Sequence, residues 1–303
     1  MWRYDGARAA LRDALRLSHA MTYKSAVAGL PLGGGKGVIM LPPEPLTPRR
    51  RKDVLLDFAD TVEALRGSYV TAEDVGTSAK DMQVIAGATK HVSGLSRRRG
   101  GSGDPSPFTA LGVRASIEAA CEHALGTASL KGRSVCVSGL GHVGMRLALD
   151  LLRAGAKVVA TDIDRGKREA IVAAGGRWTT PDKALSRPVD VFAPCALGGV
   201  LTHETADALQ APVVAGAANN QLADNDVGAL LHERGILWAP DFVANAGGII
   251  NIAVELDRGG YDPARARQRV LGVGDTMRAI FAEDAPPLQA AMELGQRRLE
   301  AAA

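Results

Sequence analysis

Two lysines near the start of the chain have surroundings that could support chemistry. Lys24 ends a Met-Thr-Tyr-Lys segment at 21–24, and Lys36 follows three consecutive glycines at 33–35. Glycines allow positive φ and the close approach of a small molecule, so a lysine behind them could serve as a ligand clamp or as a base. A glycine-rich turn with a solvated lysine accounts for the same residues equally well. This stretch alone does not decide between them.

The stretch does not match a phosphate-binding P-loop. The pattern G-x-x-x-x-G-K-[ST] requires a glycine where Leu30 stands and a hydroxyl residue where Gly37 stands. The two mismatches exclude this class of phosphate site at Lys36.

Two acidic residues, Glu73 and Asp74, follow an apolar run at 68–72 that predicts a strand. A loop held by a rigid scaffold can present such residues to a cleft. Their position at the end of a predicted strand therefore suits them to chemistry.

The strongest signal is the pattern Gly139-x-Gly141-x-x-Gly144. It follows a predicted strand at 134–138 and precedes a predicted helix at 145–154, the setting in which G-x-G-x-x-G binds a dinucleotide. The first glycine permits a tight turn, the second lets the backbone meet the pyrophosphate, and the third lets helix and strand pack closely. The helix N-terminus then stabilises the anionic phosphates.

Asp162 ends the next predicted strand, at 157–161, and lies 23 residues after Gly139. An acid at this position would accept hydrogen bonds from the adenosine ribose and repel a 2′-phosphate, which favours NAD over NADP. Arg165, three residues further on, could meet such a phosphate and weakens that preference.

The chain around this motif has the pattern of an α/β fold. Short apolar runs alternate with helical segments, which predicts a Rossmann-type, doubly wound parallel sheet buried on both faces. The further predicted strands are 189–193, 212–216 and 236–240, and the predicted helices between them are 202–209 and 224–233. Loops at the carboxyl ends of such strands are where a dinucleotide lies.

The remaining segments predict a second domain and a helical tail. Helical spacing predicts helices at 5–20, 53–65, 81–88 and 109–125. An apolar run predicts a short buried strand at 38–41, and a loop rich in glycine and proline predicts a hinge at 103–107. We therefore predict a substrate and catalytic domain over 1–108, an NAD-binding domain over 109–250, and C-terminal helices over 251–303 that return toward the substrate domain and are interrupted at Pro286 and Pro287.

Composition indicates a globular protein of two domains. The 303 residues are 46% hydrophobic and 23% charged, and the formal net charge is only +3. Basic runs at 49–52 and 97–99 lack interleaved aromatics, so solvated loops explain them better than a nucleic-acid partner. No stretch approaches the roughly 20 apolar residues of a membrane span.

Cysteine use and the N-terminal residues predict a cytoplasmic location. The three cysteines, Cys121, Cys136 and Cys195, are far apart and do not have metal-ligand spacing. Their number is odd, so at least one would stay unpaired, as expected in a reducing compartment. The first residues have no apolar signal core. We expect neither a metal nor a membrane partner.

Several segments together carry a family resemblance. They are Met-Thr-Tyr-Lys at 21–24, Gly-Gly-Gly-Lys at 33–36, Thr-Ala-Glu-Asp-Val-Gly-Thr at 71–77, Gly-Asp-Pro-Ser-Pro at 103–107, the glycine fingerprint, Ala-Pro-Cys-Ala-Leu-Gly at 193–198, Ala-Asn-Asn-Gln-Leu at 218–222, and Pro-Asp-x-x-x-Asn-Ala-Gly-Gly-x-x-Asn at 240–251. In collinear order over nearly the whole chain, they resemble the glutamate/leucine/phenylalanine/valine dehydrogenase family, and most closely its leucine and valine branch.

The resemblance implies an activity and a site. It implies an enzyme that catalyses the reversible oxidative deamination of a branched-chain aliphatic L-amino acid (leucine, valine or isoleucine) to the 2-oxo acid and ammonia. The implied cofactor is NAD, and the implied assembly is a homo-oligomer. By resemblance Lys24 binds the substrate carboxylate, Lys36 is the catalytic lysine and Asp74 is its partner. The site would lie in a cleft between the two domains.

The resemblance also assigns contacts to the substrate side chain and to the cofactor. The substrate residues it implies are Ala72, Ile249, Asn251 and Ile252. The cofactor residues are Thr109, Gly139, Gly141, His142, Val143, Gly144, Asp162, Cys195, Ala196, Asn220 and Asn245.

The sequence departs from the family pattern at its start. Members of the family have a further N-terminal segment, ending in Gly-Gly-Thr-Arg, which walls the substrate pocket and helps to assemble the oligomer. The resemblance therefore leads us to expect a truncated substrate domain, caused by a misplaced start or by a real loss. The alternative function is a catalytically impaired, NAD-binding remnant of such an enzyme.

Overall fold

The computed structural model describes residues 1–302 and divides the chain into two compact units. The first unit contains Met1–Pro105 and Asn251–Pro263, and the second contains Ser106–Ile250 and the chain from Ala264 onward. The segment predicted as C-terminal helices, 251–303, is thus shared between the two units.

The first unit is built mainly from three helices, α1 (Ala7–Val27), α2 (Pro48–Ala64) and α3 (Ala79–Ile85). Helix α2 begins with a proline and is capped by the Thr47 hydroxyl, which accepts from the Arg50 backbone N–H. Leu55 of α2 packs with Met82 and Ile85 of α3 in a buried cluster. This cluster fixes the two helices against each other.

Helix α1 extends beyond its predicted end at residue 20. It includes the Met-Thr-Tyr-Lys segment, because nothing in that segment breaks a helix and the chain turns only at Gly29, where φ is +66°. Lys24 therefore lies in the last turn of the helix, beyond the predicted end at residue 20.

The two strands predicted in the first unit are each reduced to a single β-bridge. The run at 38–41 contributes only the bridge between Trp2 and Met40, and the run at 68–72 only the bridge between Thr71 and Val92. Trp2 alone bonds to Ile39 and Leu41, and Thr71 alone bonds to His91 and Ser93, so each pairing has a single residue on one side, which is too few to extend a ladder. Met40 is about half exposed, so the prediction of a buried strand at 38–41 is wrong.

The second unit contains a six-stranded sheet in which every neighbouring pair is parallel. The strands are β1 (Ser134–Ser138), β2 (Lys157–Thr161), β3 (Arg177–Trp178), β4 (Val191–Pro194), β5 (Val213–Val214) and β6 (Leu237–Trp238). Their spatial order is β3-β2-β1-β4-β5-β6, which is the order of a doubly wound dinucleotide-binding sheet. The predicted Rossmann-type fold is confirmed.

Helices precede, connect and follow these strands along the chain. They are α4 (Ser106–Leu125), α5 (His142–Arg153), α6 (Arg168–Ala173), α7 (Pro181–Ala184), α8 (His203–Ala208), α9 (Asn225–Glu233), α10 (Asp241–Ala244), α11 (Gly247–Ala253), α12 (Pro263–Phe281) and α13 (Pro287–Glu300). Phe192 of β4, Val214 of β5 and Trp238 of β6 belong to one buried cluster with Leu231 of α9. Val191 and Val213, which point to the opposite face, are also fully buried, and this burial on both faces explains the apolar runs of the sequence.

Helix α4 begins at Ser106, inside the segment predicted as a hinge, and α12 and α13 are separated at Pro286 as predicted. None of the helices in residues 1–302 combines the length and the apolar character needed to cross a bilayer.

Candidate active site

The Lys36 ammonium donates a hydrogen bond to the Asp74 carboxylate. The lysine side chain is 22% exposed and the aspartate side chain 51%, so the pair joins a largely covered cation to a carboxylate that faces solvent. The structure thus brings together the two residues that the sequence predicted as catalytic.

The glycines on either side of Lys36 serve packing more than ligand approach. A Cβ on Gly35 would lie 2.7 Å from the Tyr69 ring, and one on Gly37 would lie 2.7 Å from the Phe58 ring. A Cβ on Gly34 would overlap with Thr22 of α1, whereas one on Gly33 would meet nothing within 4 Å. None of these four glycines has positive φ. Gly34, Gly35 and Gly37 therefore let the backbone around Lys36 pack closely against Thr22, Tyr69 and Phe58.

The phenol of Tyr69 fixes the backbone on the far side of Lys36. Its hydroxyl accepts a hydrogen bond from the Gly37 N–H at 2.9 Å. On the near side, the Ser18 hydroxyl of α1 donates to the Gly34 carbonyl at 2.8 Å. Lys36 is thereby held between two anchored backbone positions.

Burial lowers the pKa of Lys36 below its ordinary value of 10.5, and the Asp13 carboxylate opposes that shift. Removing an ammonium from water disfavours its charged form, so the neutral amine is reached at a lower pH than for an exposed lysine. A lysine of this kind is suited to act as a base.

Asp74 is presented by a tight turn between the β-bridge at Thr71 and helix α3. Thr77 closes the turn twice: its hydroxyl accepts from the Asp74 N–H at 2.9 Å and donates to the Asp74 carbonyl at 2.7 Å. The Asp74 carboxylate itself accepts from the Val75 N–H at 2.6 Å. The side chain therefore has one oxygen bound within the turn and the other directed to Lys36.

Lys24 and the predicted substrate side chains lie partly or fully buried. Lys24 is half-buried in the last turn of α1, and Ala72 and Ile252 of the same unit are also half-buried. Ile249 is half-buried in the second unit.

Asn251 is fully buried in the first unit, and its amide is only half satisfied. Its Oδ1 accepts a hydrogen bond from the Tyr261 hydroxyl at 2.7 Å. Its Nδ2 has no hydrogen-bond partner among the described residues. A buried unpaired donor is costly, so a donor of this kind is suited to a ligand oxygen.

The three fingerprint glycines of the second unit have different local surroundings. Gly139 has φ +103°, and a Cβ there would lie 2.6 Å from the Ala196 nitrogen. A Cβ on Gly144 would overlap with the Gly139 carbonyl oxygen. Gly141 has φ −67° and nothing within 4 Å of a Cβ position, although it caps helix α5.

This difference tests whether the turn fits a dinucleotide. Gly139 and Gly144 are required by the fold of the chain itself, but no neighbour within the chain requires Gly141. An open glycine at the N-terminus of a twelve-residue helix leaves room for a phosphate against free backbone N–H groups. His142 and Val143 follow it in the first turn of α5. The residues present therefore fit the pyrophosphate of a nicotinamide dinucleotide.

Asp162 lies beside this turn at the end of β2. Its carboxylate accepts from the backbone N–H groups of Leu140 at 2.6 Å and Asp164 at 2.8 Å, and from the Lys167 ammonium at 3.0 Å. Burial opposes ionisation, but these three donors outweigh it and lower the pKa of Asp162. The side chain is thus a carboxylate fixed against the glycine turn. Arg165, by contrast, is exposed.

Cys195 and Ala196 follow β4 and lie against the glycine turn. Ala196 is the nearest neighbour of Gly139, and the Cys195 Cβ would lie 3.0 Å from a Cβ on Gly144. Burial raises the pKa of the Cys195 thiol to about 12, so this cysteine is not a thiolate at neutral pH.

Asn220 and Asn245 are on loops at the same end of the sheet. Asn220 has φ +51°, and its carbonyl accepts from the Gly199 N–H at 2.7 Å. The Asn245 amide donates to the Asn219 side-chain oxygen at 2.7 Å and to the Ala217 carbonyl at 3.2 Å. Thr109 lies in the first turn of α4.

Sequence reasoning missed four residues that organise these sites: Arg51, Tyr69, Tyr261 and Gln221. Gln221 is buried and donates to the Gly216 and Ala218 carbonyls at 3.0 Å, while its Oε1 accepts from the Trp238 indole. The sequence marked Gln221 only by its place beside Asn220 in the Ala-Asn-Asn-Gln-Leu segment at 218–222. The prediction of a solvated loop at 49–52 is wrong, because these residues lie in helix α2 and Arg51 is half-buried.

Two family models match the chain. One, described as Glu/Leu/Phe/Val dehydrogenase, dimerisation domain, matches residues 3–91. The other, described as Glutamate/Leucine/Phenylalanine/Valine dehydrogenase, matches residues 100–176 and 161–262.

Curated relatives match along almost the whole chain. Leucine dehydrogenase from Bacillus subtilis is 42% identical over 305 residues, covering 99% of this chain and 82% of the relative. Valine dehydrogenase from Streptomyces virginiae is 43% identical over 309 residues, covering 98% and 84%.

Among solved structures, L-tryptophan dehydrogenase from Nostoc punctiforme superimposes with a TM-score of 0.86 at 38% identity, covering 99% of this chain and 86% of that one. The similar proteins thus act on leucine, valine or tryptophan according to their names. They do not favour the alternative of an impaired remnant.

Proposed function

Because the chain belongs to the glutamate/leucine/phenylalanine/valine dehydrogenase family, and is therefore an amino-acid dehydrogenase, we propose that it deaminates a branched-chain aliphatic L-amino acid. The products are the 2-oxo acid and ammonia, the cofactor is NAD, and the reaction is reversible. The observation that carries this proposal is the contact between the Lys36 ammonium, largely covered by protein, and the Asp74 carboxylate.

The second unit supplies the residues that hold the cofactor. The backbone at Gly141 and the N-terminus of α5 receive the pyrophosphate, and Asp162 receives the ribose hydroxyls. When bound, the nicotinamide ring would supply the acceptor for the hydride that leaves the substrate α-carbon. The ionised, anchored Asp162 supports NAD over NADP, because a 2′-phosphate would be placed beside a fixed negative charge.

The lysines and the aspartate of the first unit act on the amino acid. Lys24 pairs with the substrate carboxylate and orients the α-carbon. Lys36, in its neutral form, removes a proton from the water that attacks the substrate imine. Asp74 carries protons to and from the departing amine.

The side-chain specificity of the proposed pocket follows from Ala72, Ile249 and Ile252. All three are apolar, so a glutamate side chain would find no cation or hydroxyl group among them. The two isoleucines narrow the space and bring valine into competition with leucine. One methylene distinguishes the two substrates by only about 1 to 3 kcal/mol, so activity with both is expected.

A homo-oligomer is part of this proposal. Leu11 and Leu15 are one turn apart on α1 and are each more than 60% exposed, and the bridged residues Trp2 and Met40 are also exposed. Apolar side chains of this size are costly to leave in water and are suited to a subunit contact. The family model over 3–91 carries a dimerisation domain in its description. A cytoplasmic location stays a prediction.

The test is NADH formation at alkaline pH with L-valine, L-leucine, L-isoleucine, L-phenylalanine and L-glutamate as separate substrates. We expect turnover with the branched-chain amino acids and little with glutamate. Lys36→Ala should abolish turnover while NADH binding is kept. Comparable turnover in that variant, or activity confined to glutamate, would overturn the proposal. If the protein binds NADH but shows no activity with any amino acid, the alternative of a catalytically impaired, NAD-binding remnant would be favoured.

A further inference from the structure

Arg51 connects helix α2 to the turn that carries Asp74. Its guanidinium donates to both oxygens of Asp81, from Nε at 2.9 Å and from Nη2 at 2.7 Å. The same Nη2 donates to the Gly76 carbonyl at 2.7 Å. Arg51 therefore binds a carboxylate and the backbone of the catalytic turn at once.

Asp81 is the centre of this arrangement and is only 7% exposed. Its Oδ2 also accepts from the Ser78 N–H and hydroxyl, both at 2.8 Å, and the Asp81 N–H donates to the Ser78 hydroxyl oxygen at 3.3 Å, which completes the capping box of α3. The Arg51 pair is the largest influence that lowers the pKa of Asp81, so the carboxylate is ionised at neutral pH. A bidentate pair of this kind fixes geometry more strictly than a point contact does.

The position of Arg51 is unfavourable unless its partner is present. It lies in the first turn of α2, where a cation opposes the helix macrodipole. Its neighbours Arg49 and Arg50 are exposed, whereas Arg51 is half-buried. Of these three, Arg51 is the one that the contacts of the first unit hold in place.

The Asp74 side chain depends on the turn behind it, because it is 51% exposed and has little packing of its own. The turn is closed locally by Thr77, and its next residues are tied to α2 and α3 through Gly76 and Ser78. Without the Arg51 contacts, the turn would keep the capping box of α3 and the hydrogen bond that the Met1 ammonium donates to the Val75 carbonyl at 2.8 Å, but it would lose its attachment to α2.

We infer that Arg51 is a positioning residue for Asp74: its pair with Asp81 and its bond to Gly76 fix the turn that presents the Asp74 carboxylate to Lys36. The effect of Arg51 on turnover rests on the proposed function, because it requires that Asp74 take part in the reaction. The effect of Arg51 on the position of the Asp74 carboxylate does not depend on that function. Arg51 touches neither substrate nor cofactor in this account.

The test compares Arg51→Met and Arg51→Lys with Arg50→Met, an exposed arginine one position earlier on the same helix. A displaced catalytic group commonly costs between about tenfold and 100-fold in rate. We expect Arg51→Met to lower kcat by roughly this factor with little change in the KM for the amino acid. Arg51→Lys should recover only part of the loss, because lysine cannot form the two-pronged pair. Arg50→Met should match the wild type.

A second measurement does not depend on turnover. The pH profile of Lys36 acetylation by trace acetic anhydride, followed by mass spectrometry, reports the charge environment of that amine. The Asp74→Asn variant serves as the reference, because it shows in which direction the acetylation profile of Lys36 shifts when the carboxylate charge is absent. Arg51→Met should shift the profile in the same direction, and Arg50→Met should leave it unchanged.

The outcomes separate the inference from the proposed function. An Arg51→Met enzyme with wild-type kcat overturns the inference, as does a folded, slow variant whose Lys36 profile coincides with the wild type. If Arg51→Met fails to fold, as judged by thermal unfolding, the same two measurements on Arg51→Lys decide. If wild type and Arg50→Met turn over no amino acid, the proposed function fails, whereas the acetylation profiles still test the position of Asp74.

Discussion

Lys36 and Asp74 are 38 positions apart in the chain, yet the ammonium of one donates to the carboxylate of the other. The lysine arrives on a glycine stretch packed against Tyr69 and Phe58, and the aspartate on a turn closed by Thr77. A largely covered amine beside a half-exposed carboxylate combines a lowered pKa with a route for protons to solvent.

The first prediction is the pH dependence of turnover. Lys36 must be neutral to act as a base, and its pKa is below 10.5, so kcat should fall with decreasing pH through that lowered pKa with a slope of about one. In Asp74→Asn the negative charge that favours the ammonium is gone. The acidic limb should therefore move to still lower pH while the maximal rate falls.

The measurement is kcat from pH 7 to pH 11 for both proteins. Asp60→Asn, which removes an exposed carboxylate from α2, serves as the control and should retain the wild-type profile. An Asp74→Asn profile that coincides with the wild type would remove Asp74 from the mechanism.

The fold of the second unit could be predicted because its signals are local. The bounds of β1 and β2 were predicted correctly, since an uninterrupted apolar run ends at the glycine turn in one case and at Asp162 in the other. Strand β3 was missed, because Arg177 and Trp178 do not form an apolar run. It is recognisable only through its pairing with β2.

The first unit was harder to predict because its order comes from distant contacts. The partner of Arg51 is 30 positions away, and the hydroxyl that fixes Gly37 is 32 positions away. The sequence showed a basic run and a glycine stretch, and neither pattern identifies a partner. Resemblance to a family was therefore needed to single out Lys36 and Asp74, whereas the roles of Arg51 and Tyr69 required the structure.

The second prediction separates the fingerprint glycines that serve the fold from the one that serves the cofactor. Gly141→Ala adds a methyl into open space at an ordinary φ, so the free energy of unfolding should change by less than about 0.5 kcal/mol. The same methyl would occupy the place of the pyrophosphate, so NADH affinity should fall by roughly tenfold or more.

Gly144→Ala is the matched control, because its methyl would overlap with the Gly139 carbonyl. This overpacking should cost about 1 to 3 kcal/mol of stability. Thermal unfolding and NADH fluorescence titration measure the two effects. Wild-type NADH affinity in Gly141→Ala would contradict the assignment of the phosphate site.

The third prediction concerns the choice between NAD and NADP. Asp162→Asn keeps the size of the side chain but removes the charge that faces the ribose. A hydrogen bond to a charged group is worth about 1.5 to 3 kcal/mol, so the ratio of kcat/KM for NAD to that for NADP should fall by roughly tenfold to 100-fold.

Asp164→Asn is the control for this change, because Asp164 is an exposed carboxylate of the same loop that accepts from the Gly166 N–H. It should keep the wild-type ratio. A preference for NAD that survives in Asp162→Asn would show that another group excludes the 2′-phosphate.

The fourth prediction concerns the orientation of the Asn251 amide. The Tyr261 hydroxyl donates to Asn251 Oδ1 at 2.7 Å, which leaves Nδ2 as the unpaired, buried donor. In Tyr261→Phe this constraint is lost and the amide can rotate. If Nδ2 binds the amino acid, the KM for the amino acid should rise several-fold, by the ~1 kcal/mol that one hydrogen bond contributes.

The KM for NADH is the internal control, because Tyr261 and the glycine turn belong to different units of the chain. It should not change, and thermal unfolding should show a loss of no more than about 1.5 kcal/mol. The Asn251→Ala variant should raise the amino-acid KM further than Tyr261→Phe does, because it removes the donor itself. An unchanged amino-acid KM in both variants would show that the unpaired Nδ2 has no part in substrate binding.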